Sequence, residues 1–410
     1  MIIVALLVVL VLWLSCTRVG RQSWSVTQVG ILTIPERLGS SLVVVIGIAG
    51  VVGVLVAVLA MGAGFEATLK ETGTDDTAIV MRGGAQSELN SVLDHDSATL
   101  IEQMPQVAHN GAGLSLASPE LVVVASLPKK STGLDTNVEI RGVGERAWEL
   151  RPEIRLTAGR RFQPGLRELV VGKGARAQFS SLEVGSSINL NGQQWSVVGA
   201  FESGDAYDSE LWADVAIVGP AYRRGSSVTS VTVRLTRPSA LDAFKAALAS
   251  DPRLKVDACT TRVYYTEQSA SLSKFIRALG ITIGSIMALG AVFGALNCMY
   301  AAVAARTREI ATLRAIGFRG LPVVVSVLIE TMLLALLGGM LGAGLAWLIF
   351  DHYTASTLGA NFSQVVFAFE VSPSLLWTGL RWALAIGLIG GLLPALRAAR
   401  LPITVGLREL

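Results

Sequence analysis

The chain is 410 residues long, 51% hydrophobic and only 16% charged, with a formal net charge of +3. So slight a positive balance argues against nucleic acid as a partner. So apolar a composition excludes a purely water-soluble protein and leaves a polytopic membrane protein with a sizeable soluble part.

In chain order, residues 1–16 are an apolar run followed by Arg18 and Arg21. The run is short for a span and lacks the charged start of a secretory signal. It reads either as an extra helix crossing from outside or as a helix dipping into the inner leaflet. Trp13-Leu-Ser-Cys16 makes a poor lipoprotein cleavage site, because Trp stands where a small aliphatic residue belongs. Residues 17–41 mix Trp24, Val26, Val29, Ile31, Leu32 and Leu38 with Arg, Gln, Ser and Thr. This predicts a cytoplasmic amphipathic helix at the membrane interface, broken or restarted at Pro35. Residues 42–65 contain no charge and predict the first transmembrane helix.

Residues 66–274 have ordinary soluble composition and predict an α+β domain outside the membrane. Short period-two segments mark strands: Val138-Glu-Ile-Arg-Gly-Val143, Glu168-Leu-Val-Val-Gly172, Ser187-Ile-Asn-Leu190, Gln194-Trp-Ser-Val-Val198 and Ser230-Val-Thr-Val-Arg-Leu235. Asn191-Gly192 predicts a hairpin turn between the third and fourth of these. A helix over 240–250 and a strand over 254–257 follow, a strand–helix–strand order typical of α+β domains. Gly172-Lys-Gly174 lacks the spacing and the Ser or Thr of a phosphate loop and reads as a turn before a helix over 175–179. Asp94-His95-Asp96 reads as a helix start with Asp96 or Ser97 as its cap rather than as an acid–base or metal site.

Three more spans follow, over 279–305, 321–350 and 375–396. The third span carries Glu330, an acidic group near the cytoplasmic interface that either relays protons or hydrogen-bonds a neighbouring helix, an Arg of the adjoining loop included. The fourth carries Arg381 between Trp377 and Trp382, where it can snorkel beside an aromatic belt. Gly338, Gly339 and Gly342 form a small-residue row suited to close helix packing, either between two copies or within one. Gly47, Gly50 and Gly53 do the same in the first span, and Gly387, Gly390 and Gly391 in the fourth. Orientation follows from the basic residues. Arg306, Arg308, Arg314 and Arg319 crowd the loop 306–320, and Arg397, Arg400 and Arg408 the tail 397–410, whereas the loop 351–374 has no Lys or Arg. The coupling loop and the carboxyl end are therefore expected in the cytoplasm and the α+β domain outside.

Catalytic and metal-binding constellations are not visible. His95, His109 and His352 are scattered singly, and Cys16, Cys259 and Cys298 fall in three different compartments and do not pair.

The run Arg308-Glu-Ile-Ala-Thr-Leu-Arg-Ala-Ile-Gly-Phe318 resembles the signature of ABC transporter permeases of the MacB/FtsX type. So do Glu330-Thr-Met-Leu-Leu-Ala-Leu-Leu-Gly-Gly339 and the ending Leu393-Pro-Ala-Leu-Arg-Ala-Ala-Arg with Leu407-Arg-Glu-Leu. Gly159-Arg-Arg-Phe162, Leu169-Val-Val-Gly172 and Val197-Val-Gly199 resemble the family's periplasmic domain, and the layout of one span, a large domain and three spans matches. The resemblance implies a permease of the bacterial inner membrane with no chemistry of its own. Arg308, Glu309, Ile310, Leu313, Arg314, Gly317 and Phe318 would then dock on a cytoplasmic ABC ATPase. Without a Walker A pattern in this chain, that ATPase is expected to be a separate polypeptide using ATP and Mg, with no cofactor bound here. The resemblance also implies a second permease copy or paralogue, an adaptor in the periplasm, and mechanotransmission for export or extraction. The competing expectation is a transmembrane regulator of a cell-wall hydrolase that moves no substrate.

Overall fold

The computed structural model describes residues 17–32, 38–359 and 363–406. The apolar run 1–16 and Pro35 lie outside the described residues. The first helix, α1 (Arg18–Leu32), turns Ser23, Val26, Thr27 and Gly30 inward and leaves Trp24 and Leu32 exposed. Helix α2 (Leu38–Thr72) is followed by β1 (Thr77–Arg82), α3 (His95–Glu102), β2 (Ala117–Pro128), β3 (Asp135–Val143), α4 (Arg146–Leu150) and β4 (Arg155–Gly159). Next come β5 (Glu168–Gly172), α5 (Lys173–Gln178), β6 (Ser187–Leu190), β7 (Gln193–Glu202), β8 (Glu210–Asp214), α6 (Val215–Ala221), β9 (Ser230–Arg234), α7 (Leu241–Ser250) and β10 (Val256–Thr260). The chain closes with α8 (Thr261–Ala305), α9 (Thr307–Ala315), α10 (Gly320–Phe350), β11 (Thr354–Leu358), β12 (Gln364–Ala368), α11 (Pro373–Arg400) and α12 (Ile403–Gly406). Among the described residues four helices, α2, α8, α10 and α11, are long and apolar enough to cross a membrane.

These elements form two compact units. The mixed unit comprises Gly62–Phe275 and Tyr353–Phe369, and the other described residues form the helical unit. Residues between the third and fourth spans are thus no isolated loop. The hairpin β11–β12 joins the mixed unit, where Val366 N–H donates to Ser209 Oγ at 2.8 Å and the Phe65 and Phe367 rings meet edge to face at 5.6 Å.

Ten strands make one sheet in the order β10-β1-β9-β2-β3-β8-β5-β7-β4, with β6 paired to β7. Strand β2 belongs to both halves: Ala117–Glu120 pairs with β9 and Leu121–Pro128 with β3. One apolar core, including Val80, Val231, Phe244 and Ile101, lies on the β9 side, and another, including Val138, Leu169, Trp195 and Leu211, on the β3 side. The hairpin turn is where the sequence puts it. Asn191 and Gly192 both have positive φ, 51° and 76°, the geometry that Asn-Gly accepts at little cost. Asp94, rather than Asp96 or Ser97, caps α3, its carboxylate accepting from Ser97 N–H at 2.7 Å.

Where β2 passes from one half to the other, the interior is charged. Arg141 of β3 donates from Nε to Glu210 at 2.8 Å, from Nη1 to Glu88 and Glu120 at 2.9 Å each, and from Nη2 to Glu139 at 3.2 Å. Arg151 grips both oxygens of Glu120, at 2.7 and 2.9 Å. All six side chains are buried. Burial alone would raise the Glu120 carboxyl, but Arg151 and Arg141 outweigh it and hold the group below the usual carboxylate range.

Candidate coupling site

Helix α9 is short, and its neighbours fix its direction. It follows α8 after one residue, Arg306, whose backbone leaves the helical region (φ −108°, ψ 14°). Glu309 in its first turn and Arg314 in its last complement the helix dipole. At its far end Gly317 N–H donates to the Arg314 carbonyl at 3.2 Å and Phe318 N–H to the Leu313 carbonyl at 3.1 Å. That pair of bonds is a Schellman motif, and Gly317 at φ +104° supplies the left-handed residue it needs. Gly317 therefore reverses the chain towards α10.

The inner face of α9 consists of Thr307, Ile310 and Ala311, all buried. Ile310 packs in a core with Met299 and Val303 of α8, Val323 and Val327 of α10, and Ala395 and Ala398 of α11. This corrects the expectation that Ile310 shares a docking side with Leu313 and Phe318: its side chain anchors the helix and is not presented to a partner. Arg314 is half-buried and donates from Nη1 to the Leu401 carbonyl, tying α9 to the end of α11. Leu313 and Phe318 are half-buried.

The outer face holds Arg308, Glu309, Thr312, Ala315 and Ile316, with Gly317 and Arg319 beyond it. Ile316 is 70% exposed. Sequence reasoning missed Thr312 and Ile316, although the spacing of the buried set, Thr307, Ile310 and Ala311, places both on the opposite side of a 3.6-residue helix. The surface is mixed, with two arginines, a carboxylate and one large apolar side chain.

Glu330 lies against this site. It is 3% exposed, and its Oε2 accepts from Arg306 Nη1 at 3.4 Å, while Arg306 Nε donates to Glu309 at 3.0 Å. Of the two roles open to Glu330, the geometry displays contact with an arginine of the adjoining loop. The glycine row packs helices of one chain. A Cβ on Gly338 would stand 2.7 Å from the Val45 carbonyl oxygen, one on Gly342 2.3 Å from that of Ala49, and one on Gly339 2.7 Å from Ala383 Cβ. Of the two arrangements open to Gly338 and Gly342, packing within one chain is the one seen: α2 fills that side. No group of His, Cys, Asp and Glu able to hold a metal occurs among the described residues.

Residues 41–251 match the family model described as MacB-like periplasmic core domain, and residues 281–403 the one described as FtsX-like permease C-terminal. The macrolide export ATP-binding/permease protein MacB of Neisseria gonorrhoeae is 24% identical over 87% of this chain and 56% of its own length. That of Vibrio parahaemolyticus is 26% identical over 87% and 55%. The chain thus spans about half the length of the curated relatives it matches. The crystal structure of the periplasmic region of MacB from Actinobacillus actinomycetemcomitans is similar over 46% of this chain and 90% of its own, at 16% identity and a TM-score of 0.36.

Proposed function

Because the chain belongs to the permease family that joins a MacB-like periplasmic core domain to an FtsX-like carboxyl-terminal domain, we propose that it passes ATP-driven motion across the inner membrane to its mixed unit. The ABC ATPase that drives it acts on the cytoplasmic side and uses the ATP and Mg. The observation that carries the reading is the construction of α9. Its inner face is locked into the cores of α8, α10 and α11, and its outer face offers Arg308, Glu309, Thr312 and Ile316 to a partner. A push on that outer face is delivered to three membrane helices at once. The work done is export or extraction of a substrate, with a second permease copy and an adaptor as further partners.

The test uses the full chain in lipid with its ABC ATPase. Arg308→Glu together with Ile316→Asp changes the exposed face without touching the buried one. ATPase binding is expected to weaken at least about tenfold, as at an interface hot spot, and permease-stimulated hydrolysis to fall with it. Unchanged binding and hydrolysis would overturn the assignment of α9.

A further inference from the structure

We infer that Glu330 is the positioning residue of α9: through Arg306 it makes the corner between α8 and α9 move with α10 and α1. The inference rests on the reading of α9 as the ATPase-facing helix.

Arg306 is the only residue between α8 and α9. Its backbone is already engaged, N–H with the Val303 carbonyl at 3.1 Å and its carbonyl with Ile310 N–H at 3.0 Å, so its guanidinium is what ties the corner to other elements. That group meets two carboxylates. The Glu309 side chain is 53% exposed, and an ion pair so open to water contributes little. The Glu330 side chain is 4% exposed on a helix that carries no other charge, where a pair of charges is screened far less than at the surface. The contact with Glu330 therefore dominates.

Helix α1 completes the arrangement. A Cβ on Gly30 would lie 3.2 Å from Arg306 Nη1, 3.3 Å from Glu330 Oε2 and 3.5 Å from Ser326 Oγ. A glycine there lets the α1 backbone cover the pair and keep water from it, which strengthens its electrostatics. Four elements thus converge on one ion pair: α1, the α8–α9 corner, α9 through Glu309, and α10.

Amide exchange of Thr307–Ala315 in the full chain, held in lipid nanodiscs, tests this directly, alongside hydrolysis by the bound ATPase. Glu330→Gln is expected to speed exchange across α9 by about tenfold, the factor a charged hydrogen bond supplies. It should leave exchange in the middle of α10 unchanged. Stimulated hydrolysis is expected to drop about as much while the ATPase still binds. The charge swap Arg306→Glu with Glu330→Arg is expected to restore both readouts, which a generic packing role would not allow. Unaltered exchange in Glu330→Gln, or a swap that restores nothing, overturns the inference. So does unaltered exchange accompanied by a shifted pH profile of hydrolysis, which would make Glu330 a proton carrier. Should Glu330→Gln fail to fold, Gly30→Val, which wedges the same groups apart without removing a charge, carries the comparison. If the unaltered chain neither binds nor stimulates the ATPase, the functional reading fails while the exchange measurement still decides the positioning role.

Discussion

Arg141 contacts four carboxylates, and Arg151 adds a second positive charge to the group. Such a network gives little stability beyond what apolar residues of the same volume would give, but breaking it from one side costs about 3–5 kcal/mol. Arg141→Met is therefore expected to destabilise the mixed unit by about that amount, measured by denaturant unfolding followed through the fluorescence of buried Trp212. Arg141→Met unfolding at the unaltered midpoint would show that the carboxylates find other partners. The sequence displays half of this feature. Alternation in Val138-Glu-Ile-Arg-Gly-Val143 correctly makes a strand whose Val138 and Ile140 face a core. Alternation normally turns the other face to water, yet Glu139 and Arg141 are buried as well. Their partners Glu88 and Glu210 stand 53 and 69 residues from Arg141, and nothing local connects them.

At the scale of elements, the helices with strong period or length signals are readable and their partners are not. The row Gly338, Gly339, Gly342 announces close packing, but a row of small residues is equally suited to a helix of the same chain or of another. The structure gives the side with Gly338 and Gly342 to α2, whereas a Cβ on Gly50 of α2 would meet nothing within 4 Å, and Gly50 lines an apolar groove of about 660 Å³ between α2 and α10. Leucine at Gly342 should thus wreck the helical unit, by more than the roughly 1–3 kcal/mol typical of overpacking because backbone stands in the way. Leucine at Gly50 should leave the fold intact. Limited proteolysis separates the two, and a protease-resistant Gly342→Leu chain would mean that α2 and α10 part without loss. The same limit explains α9. Its Arg-Ala-Ile-Gly-Phe ending is a legible helix stop, while the burial of Ile310 depends on three other helices and is invisible locally.

For the whole molecule, the charge asymmetry is expected to put the mixed unit outside and α9 in the cytoplasm. Single cysteines placed in a cysteine-free background at Ser203, in the mixed unit, and at Thr312, on α9, should behave oppositely towards an impermeant thiol reagent. Ser203→Cys is expected to label in intact cells, and Thr312→Cys only after lysis. The reverse pattern would invert the topology.

The hairpin β11–β12 also sets an order of events during synthesis. The mixed unit begins at Gly62 but is completed by Tyr353–Phe369, emerging from the ribosome only after the third span. Until then Ser209 lacks its bond from Val366, Glu139 its bond from Ser363, and Phe65 its ring partner Phe367. The nascent domain must therefore wait, with Gly62–Phe275 already made, for the short segment Tyr353–Phe369 delivered by a separate insertion event. Maturation of the domain becomes a report that the intervening helices have been threaded correctly, because a chain with α10 inverted would leave the last pair of strands on the wrong side of the bilayer and the domain unfinished.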